Sequence, residues 1–307
     1  MSEGTKRPDA PSGVEARYPG LVDRVRRLIE ESERAYDGGA RDGGSSFLWE
    51  HTVHVASLAR RIALAEKRDP LPSVLVALFH DAGKFSGGRY HADKKPEEEA
   101  SAALARKALR EFAAPAGLIK DIVSGLKALY SEKRSAHPLA AVVHDADFLA
   151  KSGALGVAHF FVKSTLRGRT LRDAVMNTLS KELTYAAVLP LNMRTAAGRA
   201  LARTKSRDSL RFFDRFLGEL NEAAPPGFRV ATLRIRGTRD QIPASSRVSP
   251  EFVKVRLVVP VACGRCGGSW RYEHSIAAGV KCRELRVLVR CRRCDSRSEI
   301  SFCLPEL

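Results

Sequence analysis

The sequence predicts a mainly helical domain followed by a small β-rich domain, which makes an α+β protein overall. Apolar residues recur at helical spacing from about residue 18 to about residue 222. After Pro225-Pro226-Gly227, apolar and polar residues alternate as they do in strands. All six cysteines lie beyond residue 262. We therefore predict a disordered lead over residues 1–17, a helical domain over residues 18–224 and a β-rich domain over residues 225–307.

Length and composition describe an ordinary globular chain with a strong positive charge. The 307 residues are 44% hydrophobic and contain no run of 18 apolar residues, so no membrane-spanning helix is expected. The N-terminal residues lack the apolar segment of a secretory signal, and we predict a cytoplasmic protein. The net charge is +17, and residues 229–307 carry 16 Lys and Arg against 7 Asp and Glu. This excess suits a nucleic acid or another polyanion, and it suits a solvated basic face equally well.

The elements follow from the two periodicities. Helical spacing predicts helices over residues 18–36, 49–67, 73–85, 96–112, 115–130, 137–152, 156–165, 170–184 and 194–220. Alternation predicts strands over residues 228–237, 251–263, 284–291 and 298–304.

Three of the predicted helical segments place histidine or aspartate among apolar residues. His51 lies on one stripe with Val55, Leu58 and Ile62, although a single inward histidine is more often a packed core residue. His80 and Asp81 end an apolar segment, and a buried aspartate is costly unless it is paired or bound to a metal. Asp147 interrupts the apolar stripe of residues 137–152, while Asp145 lies off it. Two imidazoles and two carboxylates could therefore meet at one point.

At these residues the chain resembles the HD-domain metal-dependent phosphohydrolases. The resemblance is carried by WEHTVHV, LFHDAGK, DADFLAKSGALGVAHFF and RTAAGRALA, and it covers roughly residues 19 to 222. It implies a helical bundle in which His51, His80, Asp81 and Asp147 hold a catalytic divalent metal. It also implies hydrolysis of a nucleotide or a related phosphate ester.

The chain departs from the family pattern at four places. Many members have two further histidines for a second metal, but Glu97 stands near the first position and Leu129-Tyr130 near the second. Phe148 replaces the usual arginine after Asp-Ala-Asp, and Ala150 replaces the following aspartate. We therefore expect one catalytic metal. The sequence leaves open whether Glu97 is one of its ligands. Mixed imidazole and carboxylate ligands favour Mn²⁺, Fe²⁺, Co²⁺ or Ni²⁺ over Mg²⁺.

Several polar residues near the predicted ligands are candidates for contacts with the substrate. Lys84 follows the His-Asp doublet and could act in catalysis with Asp81 by pairing with a phosphate. His91, Arg167 and Arg169 could also bind the substrate, and each could equally be an ordinary surface residue.

The C-terminal cysteines form a second predicted metal site. Cys263 and Cys266 are separated by 24 residues from Cys291 and Cys294, and each pair is a CxxC. Four thiolates at this spacing suit one structural zinc ion in a zinc ribbon, and a redox-active pair is the alternative. The nearby arginines could give the ribbon a contact with nucleic acid.

These observations leave three functional hypotheses. The first is a phosphohydrolase whose partner is a phosphate-containing small molecule. The second is an HD-type nuclease that acts on RNA or DNA. The third is a nucleic-acid-binding protein with a vestigial metal site.

Overall fold

The computed structural model describes residues 10–36, 46–85, 96–129, 137–223, 230–236, 254–260, 263, 265–268, 270–278 and 283–304. The chain forms two compact units, one made of residues 1–150 with 193–199 and the other of residues 151–192 with 200–307. The boundary predicted after residue 224 stays a prediction, because compactness alone does not show which part folds independently.

Helices dominate the described part of the chain, and the strands come last. The helices are α1 (Ala10–Arg17), α2 (Leu21–Tyr36), α3 (Phe47–Ala65), α4 (Pro70–Phe79), α5 (Glu97–Glu111), α6 (Ala116–Lys127), α7 (Pro138–Ala150), α8 (Gly153–Leu166), α9 (Leu171–Asn177), α10 (Leu179–Asn192) and α11 (Ala196–Ala223). The strands are β1 (Val230–Arg236), β2 (Lys254–Pro260), β3 (Trp270–Ala278), β4 (Arg283–Cys291) and β5 (Arg297–Leu304). The predicted fold class, helical with a small C-terminal β module, is confirmed. No described helix is both long and apolar enough to span a bilayer.

Helix α3 is the central element of the first unit. It packs against both α4 and α7, and its residues Val55, Ala59 and Ile62 are completely buried. The helix begins after Ser46, whose hydroxyl accepts a hydrogen bond from the backbone N–H of Trp49 at 3.0 Å. This packing is what brings the predicted ligands on three helical segments towards one another.

Two predicted segments of the first unit differ from the structure. The lead was expected to be disordered throughout, but residues 10–17 form α1, because the side chains of Val14 and Tyr18 are buried where α1 packs against α3 and α4. The helix predicted over residues 73–85 begins at Pro70, where Asp69 accepts a hydrogen bond from the N–H of Leu71, and ends at Phe79. Residues 1–9 lie outside the described residues.

The second unit combines helices with two antiparallel sheets. Strands β1 and β2 form one sheet, and β3, β4 and β5 form the other in that order. Helix α10 packs against β2, and the core includes Phe160, Leu183, Phe213 and Val258. The helix predicted over residues 170–184 is divided at Thr178, where α9 ends and α10 follows. Strand β3 lies between the two cysteine pairs, in a segment where no strand was predicted.

Candidate metal-binding sites

The four predicted ligands of the HD pattern come together in the first unit. His51 lies on α3, His80 and Asp81 follow α4, and Asp147 lies on α7; all four are buried. The Nε2 atom of His51 is 3.0 Å from Oδ1 of Asp147 and 4.0 Å from Oδ2 of Asp81. The Nε2 atom of His80 is 3.6 Å from Oδ2 of Asp81 and 3.9 Å from Oδ1 of Asp147.

These distances fit one ion in the middle of the cluster. Ligand atoms about 2.1 Å from a metal lie about 3.0 Å apart at right angles and about 4.2 Å apart on opposite sides. All four separations fall between these two limits. Ligand atoms of His51, His80 and Asp81 all lie within 4.8 Å of one another, so this group could hold a metal ion, and Asp147 adjoins it through its contact with His51.

His80 supplies an independent sign that a ligand belongs here. Its Nδ1 donates a hydrogen bond to the backbone carbonyl of Ala77 at 2.7 Å, which leaves the lone pair on Nε2. That Nε2 is buried and has no hydrogen-bond partner among the residues that the structure describes. A buried polar atom without a partner is unfavourable, and a bound metal ion would satisfy it.

The charge states of the other ligands also suit metal binding. Burial lowers the pKa of His51 despite the opposing effect of Asp147, so its imidazole is neutral at neutral pH. Burial by itself would raise the pKa of Asp81, but the positive charge of Lys84 leads the effects that outweigh burial and hold that pKa below its ordinary value. A neutral imidazole and an ionised carboxylate are the forms that coordinate metals.

Lys84 lies against a ligand. Its Nζ donates a hydrogen bond to Oδ2 of Asp81 at 2.8 Å, and its side chain is only 21% exposed. Burial opposes the charge of this ammonium, but Asp81 and Glu97 more than compensate and raise the pKa of Lys84. Contact of Lys84 with a substrate phosphate stays a prediction. Metal ligation by Glu97, whose negative charge helps to raise the pKa of Lys84, also stays a prediction.

The turn that carries His80 and Asp81 is held by a residue that the sequence analysis missed. Ser101 on α5 is completely buried; its hydroxyl donates to the carbonyl of His80 at 3.0 Å and accepts from the N–H of Gly83 at 2.9 Å. A Cβ on Gly83 would come within 2.7 Å of the Ser101 backbone nitrogen, so only glycine lets α5 approach this closely. The run of alanines around Ser101 was a sequence signal for a close helix contact.

Asp145 was also missed, because helical spacing placed it off the apolar stripe. The structure buries it completely, with hydrogen bonds from the backbone N–H groups of Arg194 and Thr195 and from the Thr195 hydroxyl, each at 2.8 Å. Oδ1 of Asp145 also contacts Nδ1 of His144 at 3.1 Å. Asp145 therefore anchors the start of α11, while Asp147 on the same helix belongs to the metal cluster.

Three further residues were predicted to contact the substrate. His91 is outside the described residues. Arg167 and Arg169 belong to the second unit, at the turn that ends α8, where the N–H of Arg169 donates to the carbonyl of Ser164. Burial raises the pKa of Glu182 in this unit, and Lys163 and Arg167 act against that rise. Substrate binding by His91, Arg167 and Arg169 therefore stays a prediction.

The four cysteines predicted to bind zinc cluster in the second unit. Their sulfur atoms all lie within 4.8 Å of one another. Sγ of Cys266 is 3.4 Å from Sγ of Cys291, and Sγ of Cys263 is 3.8 Å from Sγ of Cys294. Sulfurs about 2.3 Å from a tetrahedral zinc ion lie about 3.8 Å apart, so the cluster can hold zinc.

The surroundings of the four sulfurs differ. The N–H of Gly268 lowers the pKa of Cys266, but burial and the hydrogen bonds with the other cysteines outweigh it and raise that pKa to about 11, whereas Cys294 favours a thiolate. Backbone N–H groups of Gly268 and Arg293 point at Cys266 and Cys291, at 3.4 and 3.3 Å. The hydroxyl of Ser296 lies 3.0 Å from Sγ of Cys294 and lowers the pKa of that thiol to about 6. Donors of this kind compensate the charge of sulfurs that bind a metal.

A known family model matches the segment that contains the first site. The family model described as HD domain matches residues 48–151. Similar solved structures include a predicted HD superfamily hydrolase from an uncultured Thermotogales bacterium, at 21% identity over 68% of this chain and 98% of that chain with a TM-score of 0.48. Others are YpgQ from Bacillus subtilis in complex with ADP (21% identity, 65% and 97%, TM-score 0.47) and an HD-superfamily hydrolase from Bacillus thuringiensis (20%, 67% and 98%, 0.49). No curated protein matches the sequence. Residues 48–151, which contain all four predicted ligands, match the HD domain.

Proposed function

We propose that the chain is a metal-dependent phosphohydrolase that acts on a nucleotide or a related phosphate ester. The observation that carries the proposal is the convergence of two imidazoles and two carboxylates at coordination distances, with the buried Nε2 of His80 lacking a hydrogen-bond partner among the described residues. Mixed nitrogen and oxygen ligands favour Mn²⁺, Fe²⁺, Co²⁺ or Ni²⁺. Because no histidine stands at the family's positions for a second ion, we propose a single catalytic metal.

The residues around the site would have distinct roles in the reaction. A divalent ion bound there would polarise a phosphoryl oxygen and acidify a water molecule. His80 is oriented for this task by its hydrogen bond to Ala77, and Ser101 holds the backbone of the same turn. Lys84 keeps Asp81 ionised and adds a positive charge beside the site, where a phosphate would carry negative charge.

Two other functions remain as candidates. A nuclease that acts on RNA or DNA is favoured by the excess of arginine in the C-terminal quarter of the chain. A binding protein with a vestigial metal site would need the ligands to be retained without use, and the unpartnered Nε2 of His80 argues against that. The cytoplasm is the proposed location, since four clustered cysteines that suit a metal are typical of a reducing compartment.

We propose that the cysteine cluster holds a structural zinc ion. All four positions of a tetrahedral site would be filled by thiolates, so no position stays open for a substrate. Metal binding would then contribute to the folding of the three-stranded sheet, because the cluster joins the start of β3 to the turn between β4 and β5.

Hydrolysis assays with defined metals test the proposal. Purified protein supplied with Mn²⁺, Co²⁺ or Ni²⁺ should hydrolyse nucleotides or simple phosphate esters, and Asp81→Asn should abolish this activity. Asp121→Asn removes an equal charge from an exposed position on α6 and should leave the rate unchanged. Cleavage of RNA or DNA alone would favour the nuclease. The phosphohydrolase hypothesis fails if no substrate is hydrolysed with any metal, or if Asp81→Asn is as active as the native chain.

A further inference from the structure

Three arginines stand side by side across the sheet formed by β3, β4 and β5. In the strand register Arg271 is opposite Arg290, and Arg290 is opposite Arg297. Residues directly opposite each other in antiparallel strands point to the same face, with Cβ atoms about 5 Å apart. The three guanidinium groups therefore share one face, and like charges placed opposite each other destabilise a sheet. Such a row concentrates positive charge on one face of the sheet.

Arginines outnumber acidic residues among the described side chains around the row. Arg271 and Arg297 are exposed, and Arg290 pairs with Asp295. Among the side chains described between residues 263 and 299 there are six arginines and two acidic residues, Asp295 and Glu299. A zinc ion held by four thiolates has a formal charge of about −2, which would balance only two of the four remaining positive charges. Among these described side chains a net positive charge remains after both contributions.

We propose that this arginine row binds the phosphodiester backbone of a nucleic-acid strand. A guanidinium group binds phosphate through two parallel hydrogen bonds, and a strand offers one phosphate for each nucleotide. A polymer can therefore contact several members of the row at once, whereas a single free phosphate cannot. The preference for phosphodiesters over an acidic peptide rests on the proposed phosphoester chemistry of the HD site.

Salt-dependent binding tests the row directly. The probe is a fluorescein-labelled single strand of about 20 nucleotides, RNA in one series and DNA in the other, measured by anisotropy from about 50 to about 200 mM salt. Arg271→Gln with Arg297→Gln should weaken binding about tenfold or more and reduce the slope of log K against log salt by about 1.4. Arg290 is left in place because it is adjacent to Cys291.

Two further variants and a zinc measurement test whether a loss of binding comes from the row itself, from a change in net charge or from misfolding. Arg27→Gln with Arg61→Gln removes the same charge from exposed positions on α2 and α3, and should leave the slope unchanged. Arg271→Lys with Arg297→Lys keeps the charge and should restore the salt slope with a smaller loss of affinity. Zinc content of every variant, measured with a chromophoric chelator, should equal that of the native chain.

The inference is overturned if the Arg271→Gln, Arg297→Gln variant binds strands with native affinity and slope. It is also overturned if a poly-glutamate peptide of equal charge competes as well as the oligonucleotide, because the surface would then fit an acidic protein. Binding in an Asp81→Asn background distinguishes this inference from the proposed function. Row-dependent binding together with no hydrolysis by the native chain would sink the proposed function alone, and hydrolysis by the native chain with row-independent binding would sink this inference alone.

Discussion

The two aspartates of α7 should respond differently to substitution by asparagine, one in the protein with or without metal and the other only with metal. Each oxygen of the Asp145 carboxylate has two partners, since Arg194 N and His144 Nδ1 contact Oδ1 while the N–H and hydroxyl of Thr195 donate to Oδ2. An amide in either orientation therefore places its NH2 group against one backbone N–H, from Arg194 or from Thr195, while the Thr195 hydroxyl or His144 Nδ1 can turn acceptor. With about 1.5–3 kcal/mol for the lost hydrogen bond to a charged acceptor, Asp145→Asn should lower the free energy of unfolding by about 1.5–3 kcal/mol.

Asp147→Asn should cost less in the metal-free protein. Its Oδ1 is 3.0 Å from Nε2 of His51, and the amide oxygen of asparagine can keep that hydrogen bond. The expected change without metal is within about 1 kcal/mol. The native chain gains about 2.7 kcal/mol when the free metal is at a hundred times its Kd, and the variant should lose this gain.

Urea unfolding followed by far-UV circular dichroism measures both effects. Each protein is unfolded with a chelator present and again after addition of Mn²⁺. Asp145→Asn should be destabilised by a similar amount in both conditions, whereas Asp147→Asn should differ from the native chain only with Mn²⁺. The reasoning is refuted if Asp145→Asn unfolds like the native chain, or if Asp147→Asn with chelator loses as much stability as Asp145→Asn.

Three further outcomes follow from the two sites. Gly83→Ala should lower the free energy of unfolding by about 1–3 kcal/mol or more and weaken Mn²⁺ binding in titrations, because its Cβ would meet α5. Gly117→Ala, where a Cβ meets open space, should be neutral or stabilising. Equal effects of the two variants would contradict the close contact. In the metal-free chain the folded pKa of His51 lies below the unfolded value of 6.5, so the unfolded state binds more protons and stability should fall as pH drops below about 6.5, by up to about 1.4 kcal/mol per pH unit. Urea unfolding across pH should show that His51→Gln removes this dependence, and an unchanged dependence would contradict the assignment. Cys263→Ser should lose the zinc ion in a chelator assay, whereas Ser296→Ala should keep it; full zinc retention by Cys263→Ser would rule out the four-thiolate site.

Periodicity singled out predicted metal ligands because burial and chemistry conflict at those positions. A histidine or aspartate on an apolar stripe is costly, so the residues that interrupt such stripes stand out without knowledge of their partners. His51 and Asp147 were found in this way, and the structure places both within 4.0 Å of Asp81 or His80. The cysteine pairs were found by spacing, which reflects the local geometry of a metal-binding turn.

Partners that are distant in sequence could not be predicted by the same reasoning. Asp145 bonds to Thr195, 50 positions away, and Ser101 bonds to His80, 21 positions away. Helical spacing assigns a residue to a face but does not say which backbone group will meet that face. The end of α4 at Phe79 is a result of the same kind, because the turn that follows it is shaped by Ser101 and by the contact of α5 with Gly83.

The charges of the HD site explain how Lys84 can pair with Asp81 and still favour the binding of a phosphate. The neutral imidazole of His51, two carboxylates and one ammonium give the cluster a formal charge of about −1, which a divalent ion would change to about +1. Without Lys84 the metal-bound cluster would be neutral and would attract a phosphate less strongly. Lys84 can therefore favour an anionic substrate through its field while its ammonium stays on Asp81. The hydrogen bond that keeps a metal ligand ionised thus supports, rather than excludes, a contribution to binding the phosphate.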